Sequence, residues 1–341
     1  MMTDFSVVIP TYNGEKHLPE ILERLRSQVE TEGFSWEILV VDNNSSDRTP
    51  EIIRQAQTNW HGRGSLRYVV ETQQGAAFAR QRGVEEATGG WVGCLDDDNL
   101  PAQDWVARAY EFSQSRPQMG AFGGRIHADF EVEPPANFEK IIGFLAIRER
   151  GDHPSPYKPE VLSLPPGAAM VVRRQAWLDH VPAQPSLGGK IIGGSMVQGD
   201  DWEPLLHMYK AGWKIWYSPD LHTHHQIPAW RLEREYLLRL IHGSCLAFCP
   251  LRMIVAEPLQ RPLIMARTVL GNTYRALSYW LRHRTSIRHD TVAACELQIY
   301  LSRIASVFYF LKGRWQGKFQ FTPPVERAKA AAVHSSKASQ E

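Results

Sequence analysis

The first hundred residues alternate between short, continuously apolar runs and longer segments with an apolar residue every three or four positions. Phe5–Ile9 closes at Pro10 and Trp36–Val41 closes at Asp42; Leu66–Val70 and Trp91–Leu95 have the same form. Each reads as a strand buried on both faces. Between them, Glu15–Gln28 carries Leu18, Ile21, Leu22 and Leu25 at helical spacing, and Thr49–Asn59 and Ala76–Ala87 also read as helices. This alternation predicts an α/β fold with a mainly parallel central sheet covered by helices on both faces. Ligands of such sheets collect at the carboxyl ends of strands. Here those ends are Pro10-Thr11-Tyr12-Asn13, the run from Asp42 to Asp47, and Asp96-Asp97-Asp98-Asn99.

Beyond Asn99 the pattern loosens. Pro101–Gln114 reads as a helix, Gly120–Phe130 as strands, Ala168–Val172 as a strand, Asp200–Gly212 as a helix and Lys214–Tyr217 as a strand. Ser186–Gly199 is a glycine-rich loop suited to act as a lid. From Trp230 onward only helical periodicity remains, and Pro323–Glu341 is small and polar, the composition of a disordered tail. The expected organisation is an α/β domain over residues 1–228, a helical extension over 229–322 and a tail over 323–341.

Charge sharpens that division. The net charge of +1 over 341 residues conceals an acidic front, with 21 Lys+Arg against 30 Asp+Glu in residues 1–228. Residues 229–318 hold 14 against 5. An acidic front suits a cation, and a basic back suits anionic lipid or another acidic surface. No nucleic-acid-binding motif accompanies the basic segment, so nucleic acid is not an expected partner. With 43% hydrophobic and 22% charged residues, bulk disorder, collagen and coiled-coil classes are excluded. Four cysteines without a CxxC argue against a disulfide scaffold or zinc ribbon and for an intracellular protein. The opening residues lack a signal peptide's basic and apolar regions. Leu263–Leu281 and Ala293–Leu311 are interrupted by Arg267, Arg275, Glu296 and Arg303, so neither reads as a membrane span. The expected location is the cytoplasm, with two readings of the basic helices left open: packing on the core, or peripheral contact with the inner face of the plasma membrane.

The strongest chemical signal is Asp96-Asp97-Asp98 directly after a strand. Adjacent carboxylates repel one another, which favours a bound cation, and carboxylate plus diphosphate oxygens suit Mg²⁺ or Mn²⁺. A solvated acidic turn capping a helix is the structural alternative. Asp42 can accept hydrogen bonds from a ribose or base edge, or serve an Asx-turn. Gly75 and Arg80 belong to a helix whose start can receive phosphate. Gly199-Asp200-Asp201 opens another helix; like charge beside Asp201 raises its pKa toward the range of a general base, while acidic residues at a helix start are also simply favourable. His222, His224 and His225 read as a polar loop before a dedicated zinc site.

Val7-Val-Ile-Pro-Thr-Tyr-Asn13, Ile38-Leu-Val-Val-Asp42 with Ser45-Ser-Asp47-Arg-Thr49, Gly75-Ala-Ala-Phe-Ala-Arg80, Cys94-Leu-Asp-Asp-Asp98 and Gly199-Asp-Asp201 together resemble the ordered motifs of family 2 glycosyltransferases. The likeness covers about residues 5–225. It implies a GT-A fold, a nucleotide-sugar donor with UDP-sugars as the leading class, a divalent cation and inversion at the anomeric carbon. It also implies a glycan or lipid-linked acceptor. By the same resemblance, Pro10, Thr11, Tyr12, Asp42, Gly75, Arg80, Asp96 and Asp97 line the donor. Asp98 binds the metal, with Asp96 and His224 as auxiliary candidates, and Asp201 is the catalytic base. The family's acidic pair is Asp200-Asp201 here instead of Glu-Asp. The QxxRW motif of processive synthases is absent, Trp230-Arg231 standing in the opposite order, which implies single additions. The stretch from Gly212 to Pro228 is similar to bacterial exopolysaccharide glycosyltransferases. A nucleotidyltransferase would carry a glycine-rich loop where Pro10-Thr-Tyr-Asn13 stands. An inactive nucleotide-binding scaffold is the alternative function, though Asp42, Asp98 and Asp201 are all retained.

Overall fold

A computed structural model describes residues 3–189 and 196–319. Part of the Ser186–Gly199 loop read as a lid, and the tail from Pro323, lie outside the described residues. The front half follows the predicted alternation: β1 (Phe5–Thr11), α1 (Leu18–Arg26), β2 (Trp36–Asp42), α2 (Thr49–Thr58), β3 (Ser65–Val70), α3 (Ala76–Glu86) and β4 (Trp91–Leu95). Prolines in the first turns of α1 and α2 supply the fixed φ of a helix start, where no amide bond is lost. Next come β5 (Asn99–Pro101), α4 (Trp105–Ser113), β6 (Met119–Phe130), β7 (Ser155–Pro156), β8 (Ala169–Arg173), α5 (Arg174–His180), α6 (Trp202–Lys210) and β9 (Lys214–Ile227). The chain closes with α7 (Arg234–Leu246), α8 (Phe248–Val255), α9 (Arg261–His283) and α10 (Thr291–Trp315).

One sheet runs in the order β3-β2-β1-β4-β8-β6-β9-β5, with β7 on β9. The β3-β2-β1-β4 portion is parallel throughout, as expected. The remainder is mixed: β8 is antiparallel to both β4 and β6, and β6 is parallel to β9. Only Asp96–Asp98 separate β4 from β5, too few residues for the crossover a parallel neighbour needs. The chain therefore leaves the middle of the sheet and rejoins it at the far edge, antiparallel to β9.

Along β1, Val7 and Ile9 enter one apolar cluster while Val8 enters the other, and β2 divides Ile38 and Val40 from Leu39 and Val41 in the same way. Both faces of the sheet are thus buried. The helical extension is built into these clusters: Leu237, Leu240 and Ile241 of α7 join the first, and Leu251 and Met253 of α8 join the second with Phe310 of α10. The stretch Arg234–Val255 is long and apolar enough to cross a membrane, yet 56% of it is buried inside the protein. All four cysteines are buried and unbridged.

The strand expected to stop at Tyr217 continues to Ile227. From Leu221 it alternates strictly, with Leu221, Thr223, His225 and Ile227 inward. Two of those inward positions are Thr and His, so hydropathy alone reads the segment as a polar loop.

Candidate functional site

The carboxyl ends of β1 and β4 meet the start of α6 around a cleft of about 330 Å³. Pro10, Thr11 and Tyr12 form its wall at the end of β1. Thr11 Oγ1 donates to Asp97 Oδ2 at 2.5 Å. Burial, and then the charge of Asp98, push the Asp97 carboxyl up to about 7.

Asp42 stands just behind the wall. Its Oδ1 accepts the Ser45 amide at 2.9 Å and its Oδ2 accepts the Tyr68 hydroxyl at 2.8 Å. Burial and Asp42 push that phenol up to about 12. The Asx-turn reading of Asp42 describes this geometry, and the residue facing the cleft is Asn43. Asn43 also holds the loop before α3, accepting the Gly75 amide at 2.7 Å and donating to the Gln73 carbonyl at 2.7 Å. Gly75 has φ +138°, and a Cβ there would lie 2.6 Å from the Gly188 carbonyl oxygen. Gly75 N–H is bound to Asn43 and Ala77 N–H to Gly188 O at the start of α3. Gly75 shapes that turn, and its neighbours Gln74 and Ala76 line the cleft.

Arg80, one turn further along α3, is buried and ion-paired to Asp200 at 2.8 Å and to Asp96 at 3.4 Å. Burial opposes its charge, and Asp200 and Asp96 more than restore it. Asp201 opens α6, and its Oδ2 accepts the Gly167 amide at 2.8 Å. Burial and the charge of Asp200 push Asp201 up to about 6, with Arg80 pulling the other way. Glu203 is a structural acid: it accepts the Ser186 and Leu187 amides and fixes the turn where the loop begins.

Asp98 faces the other side of the cleft. Its Oδ1 accepts Asn99 Nδ2 at 2.6 Å and its Oδ2 accepts Arg231 Nη2 at 2.7 Å. Arg231 Nη1 donates to His225 Nε2 at 2.7 Å, and His225 Nδ1–H donates to the Leu145 carbonyl at 2.9 Å. Burial disfavours ionisation of Asp98, but the charge and hydrogen bond of Arg231, whose other arm binds His225, outweigh it and hold the carboxyl well below its ordinary range. His224, the auxiliary ligand expected from sequence, lies elsewhere. Neighbours on a strand face opposite sides, so His224 turns away to Asp129 while His225 turns inward. His225 and Arg231 are the residues the sequence reading missed; the period of two through Leu221, Thr223, His225 and Ile227 was the available signal.

Among the described residues no three His, Cys, Asp or Glu side chains stand ready around one point. The donor chemistry nevertheless fits a divalent cation. Asp98 Oδ2 and His225 Nε2 lie 3.6 Å apart, and the guanidinium bound to both, that of Arg231, takes the place of positive charge that a metal ion would occupy in its stead. The His225 tautomer, with Nδ1–H on a carbonyl and the Nε2 lone pair inward, is that of a metal ligand. Two or three protein ligands suffice for Mg²⁺ or Mn²⁺, which keep positions for substrate oxygens.

Residues 6–176, from β1 into α5, match the family model described as glycosyl transferase family 2. The chain belongs to that family. Asp201, His225 and Arg231 lie beyond the matched stretch. Glycosyltransferase AglE of Haloferax volcanii is 38% identical over 103 residues, 30% of this chain and 33% of that protein. A Methanococcus voltae dolichyl N-acetyl-alpha-D-glucosaminyl phosphate 3-beta-D-2,3-diacetamido-2,3-dideoxy-beta-D-glucuronosyltransferase is 23% identical over 231 residues, 64% of this chain and 66% of that one. The family 2 chain therefore spans a third to two thirds of the length of these curated relatives. A mannosyltransferase from Pyrobaculum calidifontis, solved with GDP-Man and Mn²⁺, superposes with a TM-score of 0.56 at 20% identity, covering 91% of this chain and 88% of its own. The architecture is GT-A, as the sequence motifs implied.

Arg80 is the counterion that lets Asp96 and Asp200 share a wall. Replacing it by Met leaves two carboxylates without their buried partner and is expected to cost about 3–5 kcal/mol, read by urea unfolding; an unchanged midpoint removes Arg80 from this role.

Proposed function

We propose that this protein is an inverting glycosyltransferase that moves a sugar from a nucleoside-diphosphate donor to a hydroxyl of a glycan or lipid-linked acceptor. One observation carries the reading. A carboxylate pushed up into the general-base range, Asp201, lines the same cleft as Asp98 and His225, which together bind the Arg231 guanidinium. Names of the relatives support the donor and acceptor classes: GDP-Man with Mn²⁺ in the Pyrobaculum structure, and dolichyl and undecaprenyl phosphates in curated relatives. Glycan assembly on a carrier lipid, exopolysaccharide included, is the setting proposed, one sugar per event.

The chemistry follows from where charge moves. The acceptor oxygen forms a bond to the anomeric carbon as the bond to the diphosphate oxygen breaks, and that electron pair leaves with the nucleoside diphosphate. Asp98, with Asp96 and His225, would hold Mg²⁺ or Mn²⁺, which would supply positive charge to offset the negative charge the leaving group gains. Arg231 presents fixed positive charge to the same region. Asp201 takes the proton of the attacking hydroxyl. Gly167 N–H orients that carboxylate, while Arg80 fixes Asp200 beside it. Pro10, Thr11, Tyr12 and Asn43 form the donor wall, with Asp42 holding it from behind.

The basic extension supplies the location we propose, the cytoplasmic face of a membrane. Thr268, Asn272 and Ala276 of α9 turn inward, while Leu263, Leu270, Tyr274, Leu277 and Leu281 face solvent, Leu270 being 71% exposed. Phe308, Leu311 and Trp315 of α10 are exposed as well. Residues 258–289 contain six arginines and no Asp or Glu. An apolar stripe with aromatic and Arg flanks matches an anionic bilayer surface.

Asp201→Asn is expected to lower turnover at least 1000-fold while nucleotide affinity stays within about twofold. In the unmodified protein, kcat/KM is expected to fall tenfold per unit as pH drops below about 6, because a protonated Asp201 is no longer the carboxylate that accepts the hydroxyl proton; retained turnover in the variant, or a flat acid limb, removes Asp201 as base. Flotation with phosphatidylglycerol vesicles at low salt is expected to carry the full chain to the top of the gradient, and Leu270→Glu with Leu277→Glu to leave it at the bottom. Equal flotation of variant and wild type counts against the α9 face.

A further inference from the structure

A second cavity, of about 340 Å³, adjoins the donor cleft and shares Asp201, Phe144 and Gln198 with it. Its walls are otherwise largely apolar, with Trp202, Phe248 and Leu251 prominent, and three cations line it: Lys140, Arg148 and Arg303. Lys140 has a carboxylate partner, Glu296 at 3.6 Å. The two arginines differ. Among the described residues neither Arg148 nor Arg303 makes an ion pair, whereas the cleft arginines Arg80 and Arg231 both do. Arg148 reaches only the Ile147 carbonyl, at 3.4 Å. Arg303 lies across the Phe248 ring at 4.7 Å, and its buried Nε has no hydrogen-bond partner. Neither arginine has a carboxylate within ion-pair distance among the described residues, and the fork of a guanidinium matches phosphate oxygens.

Resting on the transferase reading above, we infer that this cavity receives a phosphate-bearing acceptor, its phosphate on Arg148 and Arg303 and its hydroxyl toward Asp201. The position suits both demands. Asp201 belongs to both cavities, so a molecule anchored in the second presents its oxygen to the base from the side opposite the donor wall. Apolar walls beside the arginines take an alkyl or prenyl chain, and the same chemistry serves a soluble sugar phosphate.

Calorimetric titration separates these cases without turnover. Decyl phosphate and inorganic phosphate are the anionic probes and decanol the neutral one, with UDP and GDP plus Mn²⁺ titrated in parallel. Decyl phosphate is expected to bind at least tenfold more tightly than decanol. Arg148→Gln and Arg303→Gln are each expected to weaken decyl phosphate about tenfold, from loss of a charge-assisted hydrogen bond, while nucleotide binding is unchanged. Arg303→Lys keeps the charge and is expected to retain most of the affinity, which distinguishes site loss from misfolding. Decyl phosphate binding more tightly than inorganic phosphate assigns a lipid-linked source; equal affinity assigns a soluble one. No binding of either phosphate by wild type, or equal binding by both Gln variants, overturns the inference. Phosphate binding that follows the arginines while neither nucleotide binds leaves the cavity a phosphate site and defeats the transferase reading.

Discussion

The site depends on bringing five carboxylates, Asp96, Asp97, Asp98, Asp200 and Asp201, to one cleft without letting their repulsion open it. Two guanidinium groups balance them. Arg80 binds both Asp96 and Asp200, the latter 120 residues further along the chain, and Arg231 closes on Asp98 from beyond β9. The carboxylates differ in how far burial is offset: Asp98, bound by Arg231, is held strongly acidic, whereas burial wins at Asp96 despite Arg80 and pushes Asp97 and Asp201 up to about 7 and about 6. A cluster of like charges is thereby sorted into a permanent anion that attracts a cation and a carboxylate able to exchange a proton near neutrality.

The fold explains why these residues meet. β4 ends at the Asp96–Asp98 run, the chain turns immediately into β5, and β5 pairs with the part of β9 that carries His225. Asn99 opposite His225 fixes the register that sets Asp98 beside the imidazole. The helices after β9 are no appendage: α7 and α8 complete the two apolar layers over the sheet, and Arg303 of α10 helps wall the second cavity. The cleft, the adjoining cavity and the outward apolar face are built from one continuous packing arrangement.

Much of this was legible in the sequence where burial and hydropathy agree. The strands β1, β2 and β4 are apolar on both faces, so their existence, their parallel pairing and the polar residues at their ends could be read directly. The ordered motifs added the family. What escaped was the back of the sheet, where inward positions of β9 are filled by Thr223 and His225 and the period of two is written in polar residues. His224 is named as an auxiliary ligand in the motif reading, but strand alternation turns it outward. Arg231 was noticed only as half of a motif in the wrong order; its role depends on a contact 133 residues away, which no local pattern carries.

The most direct test of the account is nucleoside diphosphate release by the purified full chain from a panel of UDP-, GDP- and dTDP-sugars, with Mn²⁺ or Mg²⁺ and again with excess chelator. The account predicts release from one donor class that the chelator abolishes and that Asp98→Ala reduces to background. Release that is indifferent to both chelator and Asp98→Ala would contradict the cation-binding role of the cleft. No release from any donor in the presence of a phosphate-bearing acceptor, together with no nucleotide binding by calorimetry, would contradict glycosyl transfer itself.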